Sequence, residues 1–285
     1  MKSNIHIIVS AENNPYVAWQ CKLFHYSCVT RLKESPVIVV HDLDRDWHSD
    51  FVDIVKAGGK IRRAPSYRTT KAGDDYCPRN TAGTLLQASE MGYKPGDLIV
   101  LCDPDMIFLR PPVFPKHLAA DYYPDLNFDQ SDVRAAARRL GIDADLLKRR
   151  KREMLCGVPY AVPVAQAREL AESWLEAIDA FTPGTWEISM YAFGLAVMKL
   201  GLKLASTHIV TTNFRQHDPV RTADIIHYSH GDSAWNKRDY FFARQVHKVW
   251  NTTAKASKGT ILGEIVSQIT EASDFYSNRQ AQSFI

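Results

Sequence analysis

The sequence lacks several features that would assign its function at once. It has no run of about 18 apolar residues, so no segment can form a helix that spans a membrane. The five cysteines are an odd number and include no Cys-x-x-Cys pair, which indicates a reduced compartment rather than a disulfide framework. No signal-peptide pattern follows Met1. We therefore expect a cytoplasmic protein without a membrane partner.

A large net charge is also missing. Lys and Arg number 35 against 32 Asp and Glu, and the net charge of +3 does not by itself dictate a polyanionic partner. The segment Ser10–Asn14, which follows the first apolar run, is not a glycine-rich phosphate loop. Its absence argues against a nucleotidyltransferase, which also places paired carboxylates beside a strand. The composition, 45% hydrophobic and 24% charged, is typical of a globular protein.

The apolar runs predict an α/β fold. Ile5–Val9 and Pro36–Val40 are typical of short buried strands, and a helix that begins near Pro15 separates them. A second helix at Asp50–Lys56 completes a β-α-β-α opening, which implies a parallel sheet covered by helices. Leu98–Cys102 is the most apolar strand candidate. Residues 60–79 are predicted to be a loop, and Asn80 is a candidate N-cap for the helix that follows.

Residues 1–250 are predicted to form one domain, and residues 251–285 a C-terminal helix with a polar tail. Residues 121–153 are a distinct insert, with helices predicted at Ser131–Leu140 and Asp143–Glu153. Its basic side chains could follow a phosphate backbone, or they could be solvated helix faces whose charge nearby aspartates dilute. These side chains are Arg134, Arg138, Arg139, Lys148, Arg149, Arg150, Lys151 and Arg152.

Two carboxylates follow the most apolar strand directly, in Asp103-Pro104-Asp105. In an open α/β sheet, ligands bind outside the carboxyl ends of the strands. Two carboxylates one residue apart can face a single hard cation such as Mg²⁺ or Mn²⁺, which in turn bridges phosphates. The alternative is a plain turn in which the aspartates cap local backbone groups.

A second polar cluster, His227 to Lys237, lies late in the chain. The neutral imidazole of His227 can complete a metal shell begun by two carboxylates. His230 and Lys237 lie close by in sequence, and Lys237 could hold a phosphate of the ligand. The alternative is that His227, which follows two isoleucines, is a core residue with its hydrogen bonds satisfied.

Five segments, taken in order, resemble the hydroxyproline O-arabinosyltransferase and peptidyl-serine galactosyltransferase families. These glycosyltransferases have the GT-A fold, a Rossmann-like, mostly parallel sheet flanked by helices, and the insert after Asp103-Pro104-Asp105 would be an addition to it. The likeness covers islands between about residues 5 and 231. The segments are Tyr16–Gln20, Asp75–Asn80, Asp103–Pro111, Trp186–Phe193 and His227-Tyr228.

The resemblance implies a retaining glycosyltransferase with a UDP-sugar donor, of the arabinose or galactose class, and Mn²⁺ or Mg²⁺. It implies that Asp103, Asp105 and His227 hold the metal and that Arg79 and Asn80 bind the donor. Lys237, from a looser likeness to other retaining GT-A enzymes, and His230 beside it are further donor-binding candidates, and Glu187 is a catalytic candidate beside Asp103 and Asp105.

The chain departs from these families at three points. Ser189 stands where they have an acid, the order Arg79-Asn80 is reversed, and their secretory targeting is missing. A cytoplasmic enzyme favours a bacterial or phage-infected cell, where the acceptor could be a hydroxymethylated pyrimidine in DNA that the basic insert contacts. A protein or glycan hydroxyl is the alternative acceptor. A nucleotidyltransferase or a non-catalytic binding module is the alternative function.

Overall fold

A computed structural model describes residues 4–182, 184–212, 216–229 and 234–282. Its strands, in chain order, are β1 (Ile5–Ala11), β2 (Val37–His41), β3 (Lys60–Ala64), β4 (Leu98–Cys102), β5 (Met106–Phe108), β6 (Ala119–Tyr122), β7 (Cys156–Pro163), β8 (Ala205–Thr207), β9 (Val210–Thr212) and β10 (Ile225–His227). Its α-helices are α1 (Pro15–Ser27), α2 (Ser49–Lys56), α3 (Arg79–Ser89), α4 (Ser131–Arg139), α5 (Ala144–Arg150), α6 (Val164–Asp179), α7 (Ile188–Lys199), α8 (Ala243–Val246) and α9 (Ile261–Gln282).

The chain divides into two compact units, each assembled from three stretches of sequence. The first unit contains the described parts of Met1–Ser10, Ala64–Cys102 and Phe114–His208. The second unit contains the described parts of Ala11–Arg63, Asp103–Val113 and Ile209–Ile285.

The first unit is a mixed sheet with helices packed on it. Its strand order is β1-β4-β7-β6-β8. β1 and β4 run parallel, whereas β7 is antiparallel to both of its neighbours, β4 and β6. All residues of β4 are buried, which accounts for its continuous apolar sequence. Helices α6 and α7 contact the sheet and each other, so the predicted α/β class is confirmed.

Trp174 is the centre of the core in this unit. Its ring centroid lies 5.2 Å from that of Tyr160 on β7 and 5.0 Å from that of Phe193 on α7, both edge to face. Its Nε1 donates a hydrogen bond of 2.7 Å to the carbonyl oxygen of Ser189. The apolar face of α6 therefore fixes both the sheet and the start of α7.

The two helices predicted in the insert are present as α4 and α5. Asp143 caps α5, and its side chain accepts hydrogen bonds from the backbone nitrogens of Asp145 and Leu146 at 2.8 and 3.1 Å. Gly141 separates the helices with a φ of 72°, in the left-handed region that favours glycine.

The second unit contains β2 beside β3 and a separate small sheet ordered β5-β10-β9. Helix α9 packs against α1, where His25 Nδ1 lies 2.7 Å from the hydroxyl oxygen of Tyr276. The apolar residues Ile261, Ile265 and Ile269 of α9 are buried. Helix α9 lies within the residues 251–285 for which a C-terminal helix was predicted, and residues 283–285 lie outside the described residues.

Two local predictions were wrong. Residues 60–79 are not all loop, because β3 occupies Lys60–Ala64. The strand was not predicted because its charged side chains interrupt the apolar pattern that is typical of a strand. Asn80 is not the N-cap of α3, since Pro78 holds that position. Asn80 instead lies buried inside the helix, where its side chain accepts a hydrogen bond of 2.8 Å from the backbone nitrogen of Tyr67. Among the described residues, no helix combines the length and apolar character needed to cross a membrane.

Candidate functional site

The carboxylates predicted after β4 lie beside the predicted histidine in the second unit. β4 ends at Cys102, Pro104 and Asp105 form the turn that follows Asp103, and β5 begins at Met106. β5 pairs antiparallel with β10, with His227 opposite Met106. The backbone nitrogen of Tyr228 donates to the carbonyl oxygen of Asp105 at 3.0 Å. The strand register therefore sets His227 next to Asp105.

Three side-chain atoms converge in this cluster. His227 Nε2 lies 3.2 Å from Asp105 Oδ1 and 3.8 Å from Asp103 Oδ2. One ligand atom from each of the three residues lies within 4.8 Å of the others. Neighbouring ligands of an octahedral ion with bonds of about 2.1 Å are about 3 Å apart, so this donor set fits a small dication. Two carboxylates with one imidazole suit Mg²⁺ or Mn²⁺ chemically.

A fourth side chain, Lys237, completes the cluster. Lys237 Nζ bonds Asp105 Oδ2, the oxygen that does not face His227. Lys237 begins a 3-10 turn, Lys237–Tyr240, which Asn236 caps by accepting from the backbone nitrogen of Arg238 at 3.0 Å. An ammonium group therefore already neutralises the carboxylate that a dication would share.

Burial and neighbouring charges shift the pKa values of the two aspartates in opposite directions. Burial, followed by the negative charge of Asp105, raises the pKa of Asp103 to about 6. Burial alone would also raise the pKa of Asp105, but Lys237 and His227 outweigh it and hold that pKa well below its usual range. Burial would lower the pKa of His227, yet the two aspartates raise it overall. Asp105 is therefore the permanent anion of the site.

Aromatic side chains pack beside this cluster. Tyr228 is fully buried, and its ring centroid lies 6.0 Å from that of Trp19 and 5.9 Å from that of Trp235. Tyr16 is within electrostatic reach of the site, because after burial the largest influences on its pKa are Lys237 and Asp105. Sequence reasoning did not assign Tyr16 and Trp19 to the site, because aromatic residues at helical spacing are as typical of a core as of a site.

The predicted site residues Arg79, Asn80 and Glu187 lie in the first unit. Arg79 makes two bonds to Asp179, Nη2 to Oδ2 at 2.9 Å and Nε to Oδ1 at 3.2 Å, and donates to the carbonyl oxygen of Tyr67 at 2.8 Å. Glu187 stands at the N-cap position of α7. His230 lies outside the described residues.

The affinity for Mn²⁺ is expected to rise with pH between about 5 and 7. Binding requires Asp103 as carboxylate and His227 as neutral imidazole, and the pKa values of both are raised without metal. Where both groups are protonated, the affinity should fall about a hundredfold per pH unit, tenfold for each proton that the metal displaces. Calorimetric titrations in buffers of different ionisation enthalpy would measure both affinity and proton release, and the Asp103→Asn variant should show a flatter profile. An affinity that is constant over this range would contradict the prediction.

Comparison with known proteins finds the likeness in structure alone. No family model and no curated protein sequence matches the chain. Among solved structures, the apo form of the bifunctional glycosyltransferase WbbM shares 12% identity at a TM-score of 0.51, covering 98% of this chain. Only 52% of WbbM is covered, so this chain spans about half its length.

The galactosyltransferase LgtC is matched over nearly its whole length. Its complex with donor and acceptor sugar analogues shares 14% identity at a TM-score of 0.51, covering 96% of this chain and 99% of LgtC. An active-site mutant of LgtC gives a TM-score of 0.54 at 14% identity, with 95% of each chain covered. These similarities show that the chain has the GT-A fold of these glycosyltransferases.

Proposed function

We propose that this protein is a retaining, metal-dependent glycosyltransferase that moves a sugar from a UDP-sugar to a hydroxyl acceptor. The observation that carries the proposal is the convergence of Asp103, Asp105 and His227 in a chain with the GT-A fold. The cluster combines a metal-ligand set with a lysine that can meet phosphate. Because LgtC transfers galactose, a donor of the galactose class or the related arabinose class is our first choice.

In this mechanism the residues of the cluster hold and neutralise the leaving group. Asp103, Asp105 and His227 would hold Mn²⁺ or Mg²⁺, which offsets the charge that develops on the departing diphosphate. Lys237 would turn from Asp105 towards the diphosphate. The bond between the sugar C1 and the diphosphate oxygen breaks, and the acceptor oxygen bonds to C1 on the same face. The acceptor proton passes to the leaving oxygen, so no base from the protein is required.

Four further residues keep the donor and catalytic roles proposed from the sequence, namely Arg79, Asn80, Glu187 and His230. Arg79 and Asn80 would contact the nucleotide or the donor sugar, and for Asn80 this contact requires a side chain that is buried and accepts a hydrogen bond from the backbone nitrogen of Tyr67. The guanidinium of Arg79 would then contact the donor while it also donates two hydrogen bonds to Asp179. Glu187 is half-buried and is close enough to raise the pKa values of Tyr76, Tyr123 and Tyr191, after the larger effect of burial. Its carboxylate could therefore accept hydrogen bonds from sugar hydroxyls.

Changing Lys237 to alanine is expected to have opposite effects on metal and on donor. Without nucleotide, Mn²⁺ should bind more tightly, because a positive charge that bonds Asp105 is removed. Turnover of the UDP-sugar should fall about a hundredfold in kcat/KM, because a charged contact to the diphosphate is lost. Metal titration and initial rates would measure the two effects, with Arg238→Ala, an exposed neighbour, as the control. Weaker Mn²⁺ binding together with unchanged turnover would contradict the role of Lys237.

For the acceptor we propose the hydroxyl of a hydroxymethylated pyrimidine in DNA, contacted by the basic insert. Support comes from the exposure of Arg134, Arg138, Lys148 and Arg149 on α4 and α5. The free charge is smaller than the sequence indicates, because Lys151 pairs with Asp129, and Arg150 bonds Glu153 and the carbonyl oxygen of Leu202. A protein or glycan hydroxyl is therefore kept as the alternative acceptor.

A screen of UDP-sugars with Mn²⁺ tests the function and then the acceptor. UDP release from at least one sugar donor, followed by label transfer to hydroxymethylated DNA, glycans or proteins, is the expected result. Donor hydrolysis with transfer to a glycan or protein only would reject the DNA acceptor and keep the enzyme class. Absence of hydrolysis with every donor would favour a binding module, and release of pyrophosphate from a nucleoside triphosphate would favour a nucleotidyltransferase.

A further inference from the structure

The segment Arg238–Gly259 is a second basic stretch of the chain, separate from the insert. Its only acidic residue is Asp239, whereas its basic residues are Arg238, Arg244, Lys248, Lys255 and Lys258. All of these side chains are exposed. Because acidic and basic residues nearly balance over the whole chain, this segment is a local concentration of positive charge at the surface of the second unit.

The same segment exposes two consecutive phenylalanines. Phe241 is 55% exposed and Phe242 58% exposed, and no other two consecutive large apolar residues are exposed in the described part of the chain. Their ring centroids are 5.5 Å apart with an angle of 87° between the planes. The guanidinium carbon of Arg244 lies 5.8 Å from the ring centroid of Phe242. Apolar and basic groups therefore occupy one small surface.

These phenylalanines project from a firmly packed base. Tyr240, next to Phe241, has its ring centroid 6.1 Å from that of Trp19 and 6.0 Å from that of Trp235. Val246 and Val249 are buried further along the segment. The exposed rings therefore do not need to be ordered when a partner binds, which lowers the entropic cost of docking.

We propose that the segment Arg238–Gly259 docks this protein on the surface of an anionic lipid bilayer. Phenylalanine side chains at an interface enter the boundary between headgroups and acyl chains, and nearby Lys and Arg are attracted to anionic headgroups. The perpendicular arrangement of the two rings does not match the parallel platform on which successive nucleic-acid bases stack, so a bilayer is the better partner. The sequence excluded a spanning helix, which is a different mode of membrane contact.

Sedimentation of the full chain with lipid vesicles tests the proposal, and it does not depend on the transfer reaction. At low salt the protein should pellet with vesicles that contain phosphatidylglycerol and stay in solution with pure phosphatidylcholine vesicles. The double variant Phe241→Ala with Phe242→Ala should reduce the partition coefficient about tenfold, because apolar burial is lost. Arg244→Gln with Lys248→Gln should reduce it by a similar factor.

The matched control is Val52→Ala with Val55→Ala, which shortens two exposed apolar side chains on α2 of the same unit. This control should sediment like the wild type. Three results would overturn the proposal: no sedimentation with anionic vesicles, equal sedimentation with both vesicle types, or wild-type sedimentation of the phenylalanine variant. Salt-sensitive binding to a duplex oligonucleotide without vesicle binding would also overturn it in favour of nucleic acid. Near-ultraviolet circular dichroism would establish that each variant is folded.

Discussion

Replacing Asp105 with asparagine is expected to lower metal-dependent turnover of a UDP-sugar about a thousandfold or more. Asp105 contacts both other polar groups of the site, because His227 lies next to its Oδ1 and Lys237 next to its Oδ2. The amide keeps the shape of the side chain but removes the charge that would hold a dication. Stabilisation of the leaving diphosphate, worth several kcal/mol, is lost with it. Initial rates of UDP release at saturating Mn²⁺ would give the ratio.

The control for this variant is Asp44→Asn, which neutralises an exposed carboxylate in the same unit and should leave turnover near the wild-type rate. Mn²⁺ should raise the melting temperature of the wild type and of the control but not that of Asp105→Asn. Because the substitution leaves Lys237 without its carboxylate partner, circular dichroism must first show that the variant is folded. A folded Asp105→Asn protein that retains turnover within tenfold would refute the metal assignment.

Replacing Asp179 with alanine is expected to lower the free energy of unfolding by about 3–5 kcal/mol. Its carboxylate is 4% exposed and accepts two hydrogen bonds from Arg79. It also accepts a hydrogen bond of 3.2 Å from the backbone nitrogen of Lys71. Removing it leaves the guanidinium of Arg79, which is only 12% exposed, with a largely desolvated charge and no carboxylate partner. Denaturant titration followed by circular dichroism would measure the loss.

Two comparisons make this second result specific. Glu172→Ala removes the exposed partner of Arg168 and should cost well under about 1 kcal/mol, because solvent screens that pair. Adding Arg79→Met to Asp179→Ala should recover part of the loss, since the unpaired charge is then gone. If the double variant is no more stable than Asp179→Ala alone, the cost does not come from the isolated guanidinium. If Asp179→Ala keeps the wild-type free energy of unfolding, the ion pair with Asp179 does not stabilise the fold.

The elements predicted correctly from the sequence are those with uniform local patterns. β1, β2 and β4 are apolar runs, and the apolar residues Ile261, Ile265 and Ile269 of α9 recur at helical spacing. β3 was missed because charged residues fill its exposed positions. The pairing of β7 between β4 and β6 was also missed, because antiparallel pairing is determined by a partner strand tens of residues away.

The candidate metal site was predicted more closely than its surroundings. A carboxylate pair after the most apolar strand and a late histidine are patterns whose chemistry points to one cation, and the structure brings them together. Tyr16 and Trp19 were not assigned, because an aromatic residue at helical spacing does not reveal whether it faces a core or a site. The paired state of Arg79 was equally hidden, since Asp179 lies 100 residues further along the chain.

By itself the sequence determined the α/β class, the buried strand β4 and the donor types of the metal cluster. It could do so because hydrophobic burial and ligand chemistry depend on the identity of residues that lie close together in the chain. Only the tertiary structure decided that His227 and Lys237 take opposite oxygens of Asp105, from 122 and 132 residues away. That arrangement depends on the antiparallel register of β5 and β10, which a non-local pairing of backbone groups sets.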